Sequence, residues 1–236
     1  MLTDLPLAAF DTETTGVNVH ADRIVTASII TINGTDAHTD EWLVDPGIEI
    51  PTGASDVHGI TTEKAQADGL GYDVGYRAIR STLETLWAND RLVAIMNAAF
   101  DLSLIHWEGI RLGYPPLQVG PVIDPMVIDR QIDKYRRGRR TLTALCDHYG
   151  IELTDAHSSN GDALATARLA YKLLRRPELA TIADTDTLMA SQAAWHADRQ
   201  NEFADYLRSQ GKPADDVSPE WPIRYTPPTT EEGATA

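Results

Sequence analysis

Apolar and polar positions alternate between two periods along this chain, and the changes of period mark its elements. An apolar run over residues 5–10 reads as a buried strand. Residues 23–32, rich in Ile, Val and Thr, read as a second strand, and Asn33-Gly34 after them is a hairpin signal. A third strand is expected over 39–44, so the chain opens as an antiparallel meander. Residues 48–59, with Pro51 and Gly53, read as a loop. A helix is predicted over 73–87, with Asp73 as its cap and Ile79, Leu83, Leu86 and Trp87 on one face.

The pattern then alternates. Strands are predicted over 91–96 and 118–123, and a helix running to about residue 111 follows the first of them. A short helix is expected after Pro125, then helices over 141–149 and 161–174, with a polar loop at 155–160 between these last two. Leu188, Gln192, Trp195, Arg199, Phe203 and Tyr206 recur at spacings of three and four, which predicts a long amphipathic helix to about residue 209. The remainder, rich in Pro, Thr and Glu, reads as loosely ordered, with Trp221 and Ile223 docked on the body. Together these elements predict a mixed five-stranded α/β sheet with helices on both faces and a C-terminal helical extension.

Composition narrows the class. At 236 residues, 42% hydrophobic and 23% charged, the chain is that of an ordinary globular protein. No apolar run approaches the ~20 residues that span a bilayer, and no secretory signal is visible, so no membrane role is expected. The single cysteine, Cys146, permits no intrachain disulfide. It falls in an apolar helical stretch, as a core residue would, and a reducing cytoplasm is the expected setting. The net charge of −15 opposes broad electrostatic binding to nucleic acid. Yet six of the 20 basic residues, Arg130, Lys134, Arg136, Arg137, Arg139 and Arg140, crowd into eleven positions. That run reads equally as a solvated turn or as a local phosphate path.

Candidate chemistry sits where predicted strands end and helices begin. In Phe10-Asp11-Thr12-Glu13-Thr14-Thr15-Gly16, Asp11 and Glu13 are two apart, so on a strand both carboxylates project from one face. Like charges held together repel, and a divalent cation between hard oxygen ligands relieves that. Alone, such a pair is more often a solvated strand end. Asp101 follows a strand and opens a helix, as a dipole-stabilised aspartate would. Asp162 opens another helix, and His157 lies five residues before it. Each has an ordinary reading by itself; four carboxylates and one histidine at strand and helix ends point to a site.

These residues carry a resemblance. The chain resembles the DnaQ-like 3′–5′ exonucleases of the DEDDh class. The first motif is the segment from Phe10 to Gly16, and the second is Asn97-Ala98-Ala99-Phe100-Asp101. The third is His157 with Asp162, followed by Ala163, and Val57-His58-Gly59-Ile60-Thr61 is similar to a recurrent family segment. Met96 stands where many members carry His, and Ser158-Ser159-Asn160-Gly161 departs from the commoner third motif. The resemblance implies an RNase H-like fold, with an exonuclease domain over 1–176 and an extension over 177–236. It implies two divalent cations, Mg²⁺ or Mn²⁺, held by Asp11, Glu13, Asp101 and Asp162, with His157 taking a proton from the attacking water. Thr14, Thr15, Gly16, Asn97 and Phe100 would meet the terminal nucleotide, and Arg136, Arg137, Arg139 and Arg140 the phosphate backbone. The implied substrate is nucleic acid with a free 3′ end, released as nucleoside 5′-monophosphates. A DNA polymerase or replication complex is a candidate partner. Three readings stay open: an exonuclease on single-stranded DNA, an exoribonuclease of the same fold, and a non-catalytic polymerase accessory subunit.

Overall fold

The computed structural model describes residues 1–153 and 156–226. Asp155, the first residue of the expected polar loop, and residues 227–236 of the Pro/Thr/Glu tail lie outside the described residues. The meander is β1 (Leu7–Thr14), β2 (Ile24–Asn33) and β3 (Asp36–Asp45), paired antiparallel in sequence. Two short helices, α1 (Thr52–His58) and α2 (Thr62–Asp68), precede a two-residue strand β4 (Leu70–Gly71) and helix α3 (Tyr72–Ala88). Then come β5 (Leu92–Ala94), α4 (Ala98–Arg111), β6 (Val122–Ile123), α5 (Pro125–Ile132), α6 (Leu142–Tyr149), α7 (Ser159–Leu173) and α8 (Thr185–Ser209).

The sheet has six strands in the order β4-β3-β2-β1-β5-β6, one more than expected. The extra strand, β4, pairs parallel with the end of β3 at the far edge. The loop expected over 48–59 contains α1. Pro51 serves as its N-cap, where a missing N–H costs nothing. The expected strand over 118–123 shrinks to Val122–Ile123, since Gly120 and Pro121 make poor ladder residues. Helix α3 starts at Tyr72 with Gly71 as its cap, so Asp73 lies in the first turn and accepts a hydrogen bond from the Tyr114 hydroxyl.

Alternation along β1 assigns its two faces. Ala8 and Phe10 pack with Tyr76, Ile79 and Leu83 of α3 and Leu102 and Ile105 of α4. Leu7 and Ala9 pack on the other face with Ile128, Leu145, Cys146's helix and the Ala/Leu face of α7. Each fully buried Ile, Leu or Phe contributes roughly 1.5–3 kcal/mol here. Cys146 is itself buried, and burial pushes its thiol up to about 11, as expected of a core cysteine.

Helix α8 covers the open edge of the sheet. Buried Gln192 accepts a hydrogen bond from the Asp124 N–H at 2.7 Å and donates to the Val122 carbonyl at 2.9 Å, so a side chain satisfies the edge strand β6. Trp221 and Ile223 join the core, as the sequence suggests. Only the first half of the α8 stripe is buried. Leu188 and Gln192 are inaccessible, whereas Phe203 and Tyr206 are 37% and 57% exposed, because the buried line continues through His196 and Ala204 instead.

Candidate active site

Two carboxylates come from β1, on the strand itself rather than beyond its end. Asp11 and Glu13 face α7, opposite Ser28 and Thr26 of β2. The pairing of β1 with β5 stops at Ala9↔Ala94, and β5 then leaves the sheet for α4. The acidic half of β1 therefore lines a crevice at the ends of parallel strands, the usual site position in such sheets. Thr12 points to the opposite face, and its hydroxyl donates to Asp101 Oδ1 at 2.6 Å. One strand thus places two carboxylates directly and fixes a third.

The third motif is set by the start of α7. Ser158 caps the helix by accepting from the Gly161 N–H, and the hydroxyls of Ser159 and Ser28 lie 2.7 Å apart, tying α7 to β2. Asp162 follows in the first turn. The carboxylate oxygens of Asp11, Glu13 and Asp162 gather within 4.8 Å of one another. Asp101 lies outside that trio, close enough for its charge to raise Asp11. His157 is exposed, has φ 67°, and its backbone N–H reaches Asp162 Oδ1 at 3.4 Å.

The electrostatics are those of a cluster held against repulsion. Burial, followed by the charges of Asp101, Asp162 and Glu13, holds Asp11 well above the usual carboxylate range. Burial and then Asp162 and Asp101 raise Glu13 to about 7. Burial raises Asp101 to about 7 against the opposing Thr12 bond, and burial raises Asp162 against the influence of His157. Acids that only stabilised the fold would be paired with cations or N–H donors. An all-oxygen, mutually repelling donor set fits a hard divalent cation.

The turn after β1 is internally satisfied. Thr14 Oγ1 donates to the Gly16 carbonyl, Thr15 Oγ1 donates to Asp22 Oδ1 at 2.8 Å, and the Thr15 N–H goes to the Arg23 carbonyl. Gly16 is required by crowding: a Cβ there would lie 2.5 Å from Asp22 Oδ2. Asn97 takes the left-handed conformation, φ 60°, that Asn tolerates, and Phe100 is half-buried and outside the core clusters.

Asp124 and Asp129 act here without an evident sequence signal. Buried Asp124 accepts from the N–H groups of Asn97 and Ala98 at the start of α4 and of Met126 and Val127 in α5, and from Trp221 Nε1. It pins the helix that carries Asp101. The Asp-Pro step at 124–125 signals a helix start, but nothing local marks the reach to α4. Asp129, fully buried, takes Arg136 at 2.7 Å, Arg140 at 2.9 Å and the Tyr149 hydroxyl at 2.9 Å. Two of the four arginines expected along a phosphate path therefore turn inward, while Arg137 and Arg139 are exposed.

Residues 8–170 match the RNase T exonuclease family. The chain belongs to that family. It is a DnaQ-like exonuclease chain with the RNase H-like fold, as the three motifs imply. It is 32% identical over 168 residues to a PolC-type DNA polymerase III of Oceanobacillus iheyensis, an alignment covering 71% of this chain and 11% of that protein. The chain thus spans about a tenth of the length of the curated relatives it matches. Among solved structures, E. coli Exonuclease I in complex with a dT13 oligonucleotide superimposes with a TM-score of 0.62 at 21% identity, covering 79% of this chain and 46% of that one. Exonuclease X in complex with 5′-overhanging duplex DNA gives 0.54 at 20% identity, covering 77% and 99%.

Proposed function

We propose that the chain is a metal-dependent 3′–5′ exonuclease that removes nucleoside 5′-monophosphates from single-stranded DNA. The observation that carries this reading is the gathering of Asp11, Glu13 and Asp162 within 4.8 Å inside an exonuclease-family domain. Two divalent cations, Mg²⁺ or Mn²⁺, would be held by these three residues and Asp101, and when bound they supply charge neutralisation and a more acidic water. The protein's own groups do the rest. His157, exposed on its loop, accepts a proton from the attacking water. Thr14, Thr15 and Gly16, with Asn97 and Phe100, receive the terminal nucleotide. Arg137 and Arg139 face the phosphates, and Arg136 and Arg140 hold the linker on Asp129.

Single-stranded DNA is preferred because the Exonuclease I structures of like fold hold such strands. The PolC-type relatives support a place beside a DNA polymerase or replication complex, and the single cysteine fits a reducing cytoplasm. No helix among the described residues is long and apolar enough to cross a membrane. Residues 1–176 would form the catalytic domain and 177–236 its extension. The test compares matched DNA and RNA oligonucleotides in Mg²⁺, with His157→Ala beside the parent. DNA should be degraded faster, and the variant should lose about 10²–10⁴-fold. Faster RNA degradation would move the reading to an exoribonuclease, and an unaffected variant would remove His157 from the mechanism.

A further inference from the structure

Beside the start of α4 lies a second concavity that the acidic site does not use. It measures about 720 Å³ and lies between the linker joining α5 to α6 and the outer face of α8. Met96 and Asn97, just before the helix that carries Asp101, form one wall. Arg130, Lys134, Arg139, Arg140 and Arg199 line the rest, with Glu202 as the one carboxylate. Such a volume lies within the range that holds small ligands or a piece of a larger one.

Its cations divide into two groups. Arg140 is committed to Asp129, and Lys134 pairs with Glu202 at 2.7 Å. Arg130, Arg139 and Arg199 make no hydrogen bond or ion pair with a described residue. Arg130 is half-buried; burial and then the charges of Arg199 and Arg140 act on it unfavourably, against the favourable charges of Asp124 and Asp129. Of the chain's 35 acidic residues only Glu202 enters the lining, and Lys134 takes it. At the rim, Tyr135 is 90% exposed, a large aromatic face with no partner ring among the described residues. Arginines without a hydrogen bond or ion pair among the described residues, beside an exposed aromatic in a pocket at the start of the helix that carries Asp101, match the chemistry of a single nucleic-acid strand.

We propose that this pocket binds the phosphate backbone of the single strand on the 5′ side of the terminal nucleotide, with Arg130, Arg139 and Arg199 on phosphates and Tyr135 stacked on a base. The proposal rests on the exonuclease reading and gives α8 a task. Arg199 lies beyond the family match at residues 8–170, so the extension completes a track that the catalytic domain begins.

The test is binding in EDTA, where hydrolysis is silent. Fluorescence anisotropy of a fluorescein-labelled oligo-dT of about 12 nucleotides is measured against salt for the parent, Arg130→Gln/Arg199→Gln, Arg199→Lys and Tyr135→Ala. Losing two phosphate contacts should raise Kd about tenfold or more and flatten the log–log salt slope by about 1.4. Arg199→Lys should keep the parent slope, and Tyr135→Ala should raise Kd without changing it. Because Arg130 and Arg199 make no hydrogen bond or ion pair with a described residue, and Arg199 only an exposed contact over the Phe203 ring, the double variant should melt close to the parent. An unchanged Kd and slope would overturn the proposal, as would a melting point that falls with the affinity. Displacement of the strand by equimolar inorganic phosphate would also overturn it, showing a free-anion site. The exonuclease reading fails separately, if the parent degrades no strand in Mg²⁺ while the binding results stand.

Discussion

Replacing Asp101 by Asn should stabilise the metal-free protein at alkaline pH and cost it stability at acid pH. Asp101 is 4% exposed, and burial holds it at about 7 in place of the ordinary ~3.9. At about 1.4 kcal/mol per pH unit, that gap makes its ionised form cost roughly 4 kcal/mol. A raised carboxylate contributes stability that is fully present below ~3.9 and is lost as pH rises through about 7. In EDTA at pH 8 the parent has lost it all; at pH 5 it has lost only about a third of it. The amide can still accept the Thr12 hydroxyl, but its buried NH₂ costs about 1–3 kcal/mol. The variant should therefore melt about 2–12 °C higher than the parent at pH 8 and level with it or lower at pH 5. Saturating Mg²⁺ should reverse the order at pH 8, since a ligand bound by the native state stabilises only the protein that binds it. The assay is a set of melting curves at both pH values, in EDTA and in Mg²⁺. Equal destabilisation at pH 5 and pH 8 would refute the reasoning and make Asp101 an ordinary structural aspartate.

Two further outcomes follow from the buried acids. Asp124→Ala strips the acceptor from four backbone N–H groups and Trp221, so it should cost about 3–5 kcal/mol in thermal unfolding and lower kcat in the fraction that stays folded; an unaltered kcat would separate it from the site. Arg136→Gln should cost about 1–3 kcal/mol through Asp129, while Arg137→Gln should move stability by less than about 0.5 kcal/mol and flatten the salt dependence of strand binding by about 0.7; equal melting points for the two variants would contradict the inward placement of Arg136.

The legible parts of this chain depend on local periodicity. Asp11 and Glu13 could be placed together because a strand has a period of two, and Asp101 and Asp162 because helix starts announce themselves. Elements that lack a buried stripe were hidden. Helix α1 buries no residue, and β4 is two residues long, so neither leaves a pattern. Charge runs mislead for a similar reason. Arg136, Arg137, Arg139 and Arg140 look alike in sequence, and only Asp129, seven and eleven positions upstream of its two partners, divides them. Asp124 is the same case on a larger scale: its cap role is local, while its hold on Asn97 and Trp221 spans 27 and 97 residues.

The central claim is most directly tested on a 5′-labelled single-stranded DNA, with a covalently closed circle beside it, in Mg²⁺ and in EDTA, for the parent and Asp11→Asn. The account predicts a ladder shortening one nucleotide at a time from the 3′ end for the parent in Mg²⁺, an intact circle, and no degradation in EDTA or by the variant. Full activity in EDTA, cutting of the circle, or an active Asp11→Asn would contradict it.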